Sequence, residues 1–596
     1  FTSATNSYNI GVGYNAGNSL TTGQSNTLIG ALAGDAMTTA SNSIAIGRDA
    51  LGSVTEGGQN IGIGYGALRD TTTASNNVAV GYLALEENIT GHSNIAIGFN
   101  ALENPDTENH NLAMGYEALG GAVAGGEYNV AIGNYTLDAL TSADKVTAIG
   151  YGAGGGLTTG GLNTFIGHVA AGNGTVTGVN NNAVGQAALY ALAGGGYNQA
   201  FGVSALQSCT GGDYNIAIGN AALFTQDTEQ HNLGIGHGAL EVVNSGGESN
   251  VAIGNYSLDA LTSADACTAV GYQSGSAITT GANNVLMGYN VGASITTGYN
   301  NTFFGHQAGD GFDTEANNLG IGRDALGGAV AGGEFNIAIG NYTLDALTSA
   351  DRNTAIGYEA ASAVTTGSNN TVVGQSAAFH LTTGIGNTIV GRLAAENLDS
   401  GENNTLIGRD AGSSYVGSGS SCTIVGFGSR PHSSADNEDN TTIFGSGITS
   451  GQGNEVHIGN TSVTAIKGQV SFGTYSDERI KKDIVDTDLG LDFVNKLKPR
   501  KFKRRDPAEY ADIFEDSNKE PIKEKEKDNI FDGLIAQEVE AVCKELGVSF
   551  SGHQVAYSSK QSIQYETLTI PLIKAVQELS ATVTTLQQEL KTIKGE

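Results

Sequence analysis

Asn94-Ile95-Ala96-Ile97-Gly98 is one copy of a short phrase that governs most of the chain. It returns as Asn129-Val130-Ala131-Ile132-Gly133 and as Asn336-Ile337-Ala338-Ile339-Gly340. Tracking its closing glycine gives Gly30, Gly47, Gly64, Gly81, Gly98 and Gly115, in steps of seventeen residues. The series runs on through Gly133, Gly150, Gly167, Gly185, Gly202, Gly219, Gly236, Gly254, Gly271 and Gly288. It continues at Gly305, Gly322, Gly340, Gly357, Gly374, Gly391 and Gly408, then loosens at Gly426, Gly445 and Gly459. A fixed step of seventeen or eighteen residues is the signature of a solenoid, in which each repeat makes one coil and is completed by its neighbours.

Within a repeat, Ile44 and Ile46 alternate with smaller residues, the period of a β-strand. The expectation is that Ile44 and Ile46 face the core while Ala45 and Gly47 let another backbone approach. A second extended piece, such as Ala50-Leu51 or Ala101-Leu102, is expected to return to the core. Turns such as Leu20-Thr21-Thr22-Gly23 then close the coil. Four positions before the glycine most repeats carry asparagine: Asn26, Asn60, Asn77, Asn94, Asn111, Asn129, Asn215, Asn301, Asn387. Stacking sets these amides one above another, where they can satisfy the polar groups of the turns. Cys267 and Cys422 stand at the same offset and read as substituted ladder positions. So short a coil encloses a thin core, and association of several chains is the expected remedy.

Composition narrows the function classes. The 88 glycines follow no every-third-residue rule and only 6 prolines accompany them, which excludes collagen. Residues 1–459 hold 36 acids against 8 Lys/Arg, a net charge of −28 out of −31 for the chain. A surface that acidic excludes nucleic acid, whose affinity comes from phosphate neutralisation by basic side chains. Cys209, Cys267, Cys422 and Cys543 are widely separated, so neither a disulfide framework nor a metal site is expected. No apolar run reaches 18 residues, so membrane insertion is not expected either. No cofactor is expected.

The N-x-A-I-G repeats resemble the head domains of trimeric autotransporter adhesins, left-handed coiled β-rolls built from related, shorter repeats; similar repeats occur in phage fibres. The resemblance implies a mainly β fold, a trimeric coiled β-roll or β-helix shaft of 17–18-residue turns. Whole blocks are duplicated: residues 120–144 read GGAVAGGEYNVAIGNYTLDALTSAD and residues 327–351 read GGAVAGGEFNIAIGNYTLDALTSAD. Growth by block copying suits a spacer better than an enzyme.

Near residue 460 glycine falls away and dense mixed charge with helical periodicity takes over. Three motifs stand out: Ser476-Asp477-Glu478-Arg479-Ile480-Lys481-Lys482-Asp483-Ile484, Gly533-Leu534-Ile535-Ala536-Gln537-Glu538, and Tyr565-Glu566-Thr567-Leu568 leading into Leu572–Leu579. In this order they resemble the intramolecular chaperone, auto-processing domain of phage tailspike endosialidases and tail fibres. The resemblance implies a small α+β domain that trimerises, registers the upstream shaft, and then cuts the chain once. Carried over by motif, Ser476 is the nucleophile, Lys481 the general base and Tyr475–Ser476 the scissile bond. A serine hydroxyl needs such a base, and a lysine serves when neighbouring positive charge, here Arg479 and Lys482, disfavours its protonated form. From the residues alone, Ser476 reads better as a helix N-cap with Asp477 and Glu478 in the first turn. The expected organisation is a shaft over 1–459, a junction over 460–475 and the chaperone domain over 476–596. Its last helix, about 572–594, carries a heptad seam of Val576, Leu579, Val583, Leu586, Leu590 and Ile593. That seam predicts a short coiled coil, and the resemblance sets the number of chains at three.

The residue after each repeat glycine is often aromatic or arginine: Tyr65, Tyr82, Tyr116, Tyr151, Tyr272, Tyr289, Arg323 and Tyr358. Stacked coils would align these as a stripe fit for a host-surface glycan or protein receptor, or as rings that shield the thin core. Acidic pairs Asp106/Glu108, Asp227/Glu229 and Asp313/Glu315 recur in equivalent loops. A glycosidase would need two such carboxylates facing one another across a substrate, and their repetition favours an inherited surface feature. The basic run Lys496–Arg505 is followed closely by acids and reads as a solvated face. The combined expectation is an extracellular virion tail fibre that adheres to the host surface, with no turnover enzyme in the shaft. Because Phe1 lies inside a repeat, a further N-terminal part is expected to join other tail proteins. The alternatives are a tailspike depolymerase acting on host polysaccharide, and a bacterial surface adhesin of phage origin.

Overall fold

The computed structural model describes residues 7–121, 124–242, 246–413, 417–431, 439–449, 453–463, 465–467, 478–505, 528–555 and 561–595. The chain divides into two compact units, Phe1–Arg352 and Asn353–Glu596. The first is a parallel β-solenoid of twenty three-residue strands, β1 (Ile10–Val12) to β20 (Ile337–Ile339). Strands one repeat apart pair in parallel with no slip: Ile44 lies between Thr27 and Ile61, and Ala45 between Leu28 and Gly62. The second unit opens with seven more such strands, β21 (Thr354–Ile356) to β27 (Val456–Ile458).

The strands face the other way from the sequence expectation. Ala45 is fully buried, and Ile44 and Ile46 point outward and stay half-exposed. The same inversion holds in coil after coil, with Ala79, Ala96, Ala131, Ala217 and Ala338 inside. The reason is volume. The coil interior also receives a leucine from the opposite wall (Leu51, Leu68, Leu85, Leu102), leaving room at the strand centre for little more than a methyl group. Where the centre is large, a glycine compensates: the Phe303 ring occupies space left open at Gly309 and Gly320.

The second piece is also not extended. Residues 48–53 form turns, with Asp49 and Leu51 in the left-handed region at φ 57° and 54°. This conformation bends the chain twice while still aiming Leu51 inward. Its backbone remains hydrogen-bonded to the adjacent coils, Asp49 N–H to Ala31 O at 3.0 Å and Leu51 N–H to Ala67 O at 2.9 Å. Backbone pairing therefore continues beyond the strands into the rest of the coil. The repeat glycine cannot vary for two reasons. Gly64 sits at φ +139°, which essentially only glycine populates, and a Cβ there would land on the carbonyl of Gly81 in the next coil.

The asparagine ladder forms as expected. Asn215 donates its backbone N–H to Asn198 Oδ1 at 2.9 Å and its side-chain amide to Glu229 O at 2.8 Å. Its own Oδ1 accepts from Asn232 N–H at 2.9 Å. In the second unit, Asn370, Asn387 and Asn404 repeat this arrangement. Cys267 and Cys422 take their backbone places in the ladder, each N–H bonded to the preceding asparagine. Burial pushes the Cys267 thiol up to about 11 and that of Cys209 up to about 12, so neither is a reactive thiolate at neutral pH.

The remainder of the second unit is α+β. Its elements are α1 (Leu491–Lys496), β28 (Arg500–Phe502), β29 (Phe531–Gly533), α2 (Ala536–Leu546), β30 (His553–Val555), β31 (Gln561–Ile563) and α3 (Thr569–Lys594). Strands β28 and β29 pair antiparallel, as do β30 and β31. A small core of Leu489, Phe493, Val539, Val542 and Phe550 joins α1 to α2. Val539 and Val542 lie three apart, one helical turn, and give α2 its single buried face.

Replacing Asn215 with alanine strands the buried Asn232 N–H in the next coil and leaves Glu229 O to the Gln226 side-chain amide alone. The substitution is expected to cost about 2 kcal/mol or more, read as a lower urea midpoint for loss of β circular dichroism. An unchanged midpoint would show that the ladder does not hold the coils.

Candidate functional site

In the C-terminal region the second and third sequence motifs meet. Gly533 ends β29 with no room for a side chain, because Tyr565 Oη lies over its Cα. That hydroxyl accepts the Leu534 N–H at 2.7 Å. A single tyrosine thus ties the start of the Gly533–Glu538 motif to the start of the Tyr565–Leu568 motif. A second tie comes from α3, where the Glu578 carboxylate accepts the Leu491 N–H at 2.7 Å. The carboxylate fills the space beside Gly490 that a Cβ would otherwise take. One orphan N–H of α1 is served by a residue 87 positions away, which closes the domain on itself.

Three cations of the basic run, expected as a solvated face, are paired with acids elsewhere in the sequence. Lys496 meets Glu545 at 2.6 Å, Arg500 meets Glu538 at 2.6 Å, and Lys503 meets Asp528 at 2.7 Å. These pairs lower the three carboxyls from their ordinary range, chiefly through the hydrogen bonds themselves.

Tyr475 and Ser476 lie outside the described residues. Lys481 is exposed and follows a 3-10 turn, Glu478–Ile480, with its backbone N–H on Glu478 O at 3.1 Å. The heptad residues of α3 face solvent in the single chain, from 43% exposure at Val583 to 81% at Ile593. No helix among the described residues is long and apolar enough to cross a membrane.

Residues 476–548 match the family model described as the chaperone of endosialidase. The match begins at Ser476 and takes in α1, β28, β29 and α2 with its cap at Gly547. No curated protein matches the chain. The chaperone domain and the β-solenoid together fit an endosialidase-type tail fibre, and the family implies a trimeric assembly.

Ahead of the chaperone domain, the expected aromatic positions do line up. Tyr65, Tyr82, Phe99 and Tyr116 stack face to face at 5.1–5.2 Å. Tyr272, Tyr289 and His306 form a second run, at 5.4 and 5.2 Å. Arg323 lies over the Tyr342 ring, and Tyr358 is exposed in the second unit. The rings therefore pack on one another while leaving their rims in solvent. Tyr135 and Tyr256 were missed by the sequence reading, because they stand two residues after the glycine rather than one. The signal was present as Gly-Asn-Tyr: Asn134 Oδ1 accepts the Tyr116 N–H at 3.0 Å and passes the aromatic place to Tyr135.

The acidic pairs have an unexpected role. Glu108 is buried, and its carboxylate accepts N–H groups from Asp106, Thr107 and Gly125 at 2.6–2.9 Å. Glu229 and Glu315 do the same in their own loops. These glutamates are internal turn caps, already committed to the backbone and not presented to a substrate.

Several other acids sit half-buried on the coil turns. Burial, then repulsion from Glu241, pushes the Asp259 carboxyl up to about 6, and burial raises Asp35, Asp138 and Asp310 as well. With its folded value above the unfolded one, Asp259 binds more protons folded than unfolded between about pH 4 and 6. Stability is therefore expected to fall as pH rises through that window. Asp259→Asn should raise the thermal midpoint at pH 7 and leave it nearly unchanged at pH 4. Equal shifts at both values would refute the assignment.

Proposed function

We propose that this chain is a homotrimeric tail fibre, carried on a virion, whose repeat shaft adheres to the host cell surface. Its C-terminal domain assembles the trimer and then cuts Tyr475–Ser476 once, with Ser476 as nucleophile and Lys481 as base. One observation carries the assembly half of this reading. The shaft has 36 acids against 8 bases, yet among the described residues no outward position of its 27 strands bears a charge. The third residue of each strand is Ile, Val, Met or Phe throughout. A face kept free of charge on so acidic a surface is one that meets another chain. The exposed heptad seam of α3 supports the same arrangement as a short three-chain coiled coil at the C-terminal end. The matched family is named for a peptidase as well as a chaperone, which supports the single self-cleavage.

Adhesion rests on the half-exposed aromatic and arginine stripe (Tyr65, Tyr82, Tyr116, Tyr151, Tyr272, Tyr289, Arg323, Tyr358), whose chemistry suits a surface glycan or receptor protein. Labelled full-length protein should bind host cells and release no new reducing ends from their polysaccharide. Sustained release would instead establish a depolymerase.

Ile216 and Ile218 are 38% and 41% exposed on the outward strand face. Ile216→Glu with Ile218→Glu should convert trimer to smaller species in sedimentation while β circular dichroism persists. A variant that stays fully trimeric would place the interface elsewhere. Separately, denaturing electrophoresis of the wild type should show a fragment spanning 476–596, absent in Ser476→Ala and in Lys481→Ala. A wild type that remains full length throughout would rule out self-cleavage.

A further inference from the structure

One twelve-residue block occurs three times: GNYTLDALTSAD at 133–144, GNYSLDALTSAD at 254–265 and GNYTLDALTSAD at 340–351. Each is followed by a coil that supplies a second tyrosine, so the sets Tyr135/Asp138/Tyr151, Tyr256/Asp259/Tyr272 and Tyr342/Asp345/Tyr358 match in sequence. The coils that follow differ. After Tyr151 the chain reads Gly152-Ala153-Gly154-Gly155-Gly156, whereas after Tyr272 it reads Gln273-Ser274-Gly275-Ser276-Ala277 and after Tyr358 Glu359-Ala360-Ala361-Ser362-Ala363.

In the first block the missing side chains leave an open groove of about 510 Å³. Tyr135, Asp138 and Tyr151 line it, with Gly152, Gly155 and Gly172 as its floor. Tyr135 is turned across the aromatic stack, at 63° to Tyr116 and 74° to Tyr151. A ring set that way meets its neighbours edge-on and leaves its faces pointing sideways. The Asp138 carboxylate is aimed at the floor: a Cβ built on Gly155 would lie 3.2 Å from its Oδ1. The groove sits on the turns that follow the repeat glycine, away from the strand face assigned above to the trimer.

We propose that this groove binds an uncharged pyranose glycan. The ring face of Tyr135 suits the apolar face of a sugar ring, and Asp138 accepts its hydroxyl protons. The glycine floor lets a flat ligand reach backbone polar groups. An anionic glycan is disfavoured by Asp138, by Glu117 close to it and by the net charge of the shaft. The proposal names a ligand class and a place for the adhesion proposed above, and its purpose rests on that reading, although glycan binding is measurable without it.

Gly152→Gln with Gly155→Ser fills the floor with the residues the second block carries. Gln273 adopts φ 51° where Gly152 has φ 59°, so the fold tolerates the exchange. Full-length wild type and variant would be applied to an array of neutral glucans, galactans, mannans and N-acetylglucosamine oligomers, with sialylated and phosphorylated glycans alongside. The expected result is retention of a neutral glycan by the wild type, weakened about tenfold or more in the double variant and in Asp138→Asn. No neutral glycan retained, retention of anionic glycans alone, or equal retention by the double variant would each overturn the proposal. Host-cell adhesion separates the two readings. Adhesion undiminished in the double variant sinks the groove and leaves the fibre reading intact. Glycan retention without adhesion does the reverse.

Discussion

Each coil of this protein is held by the coils beside it and hardly by itself. The repeat glycine presses its Cα against the carbonyl of the next repeat glycine, and the ladder asparagine gives its backbone N–H to the coil before and its side-chain amide to the coil after. The dominant contacts thus join segments seventeen or eighteen residues apart, and stability accrues by adding neighbours, as in other solenoids. The interior is too narrow for much hydrophobic burial per coil. Directional backbone and amide hydrogen bonds, repeated from coil to coil along the ladder, fix the register instead.

Much of this was legible in the sequence because it is periodic. The glycine step gave the coil length, the asparagine offset gave the ladder, and the two cysteines at that offset, Cys267 and Cys422, fell into place. The orientation of the strands was not legible. Strict alternation says that two faces differ without saying which is inside, and larger residues are ordinarily the buried ones. Here the opposing leucine decides the matter by volume, and alanine goes in. Glu108, Glu229 and Glu315 were likewise unreadable as caps, since a glutamate that folds back on three N–H groups has no spacing signature. In the C-terminal domain the motifs marked the residues that meet, Gly533 with Tyr565, but the Glu578 tie to Leu491 joins positions too far apart for any local pattern to show.

The two architectures answer each other's weaknesses. A stack of near-identical coils can pair correctly in many wrong registers, and the blocks at 120–144 and 327–351 are alike enough to be exchanged. The chaperone domain is irregular, with a core and ties that occur once each. A unique structure of that kind can align chains where a repetitive one cannot.

The uniform upper and lower faces of the coils carry an evolutionary consequence. Any run of whole turns offers the same donors and acceptors at both ends, so a copied segment splices in without a new junction having to be invented. Length becomes a heritable quantity, adjustable in steps of one turn by ordinary recombination. Copies made this way start identical and are free to diverge at their rims, as Gly152 and Gln273 have done.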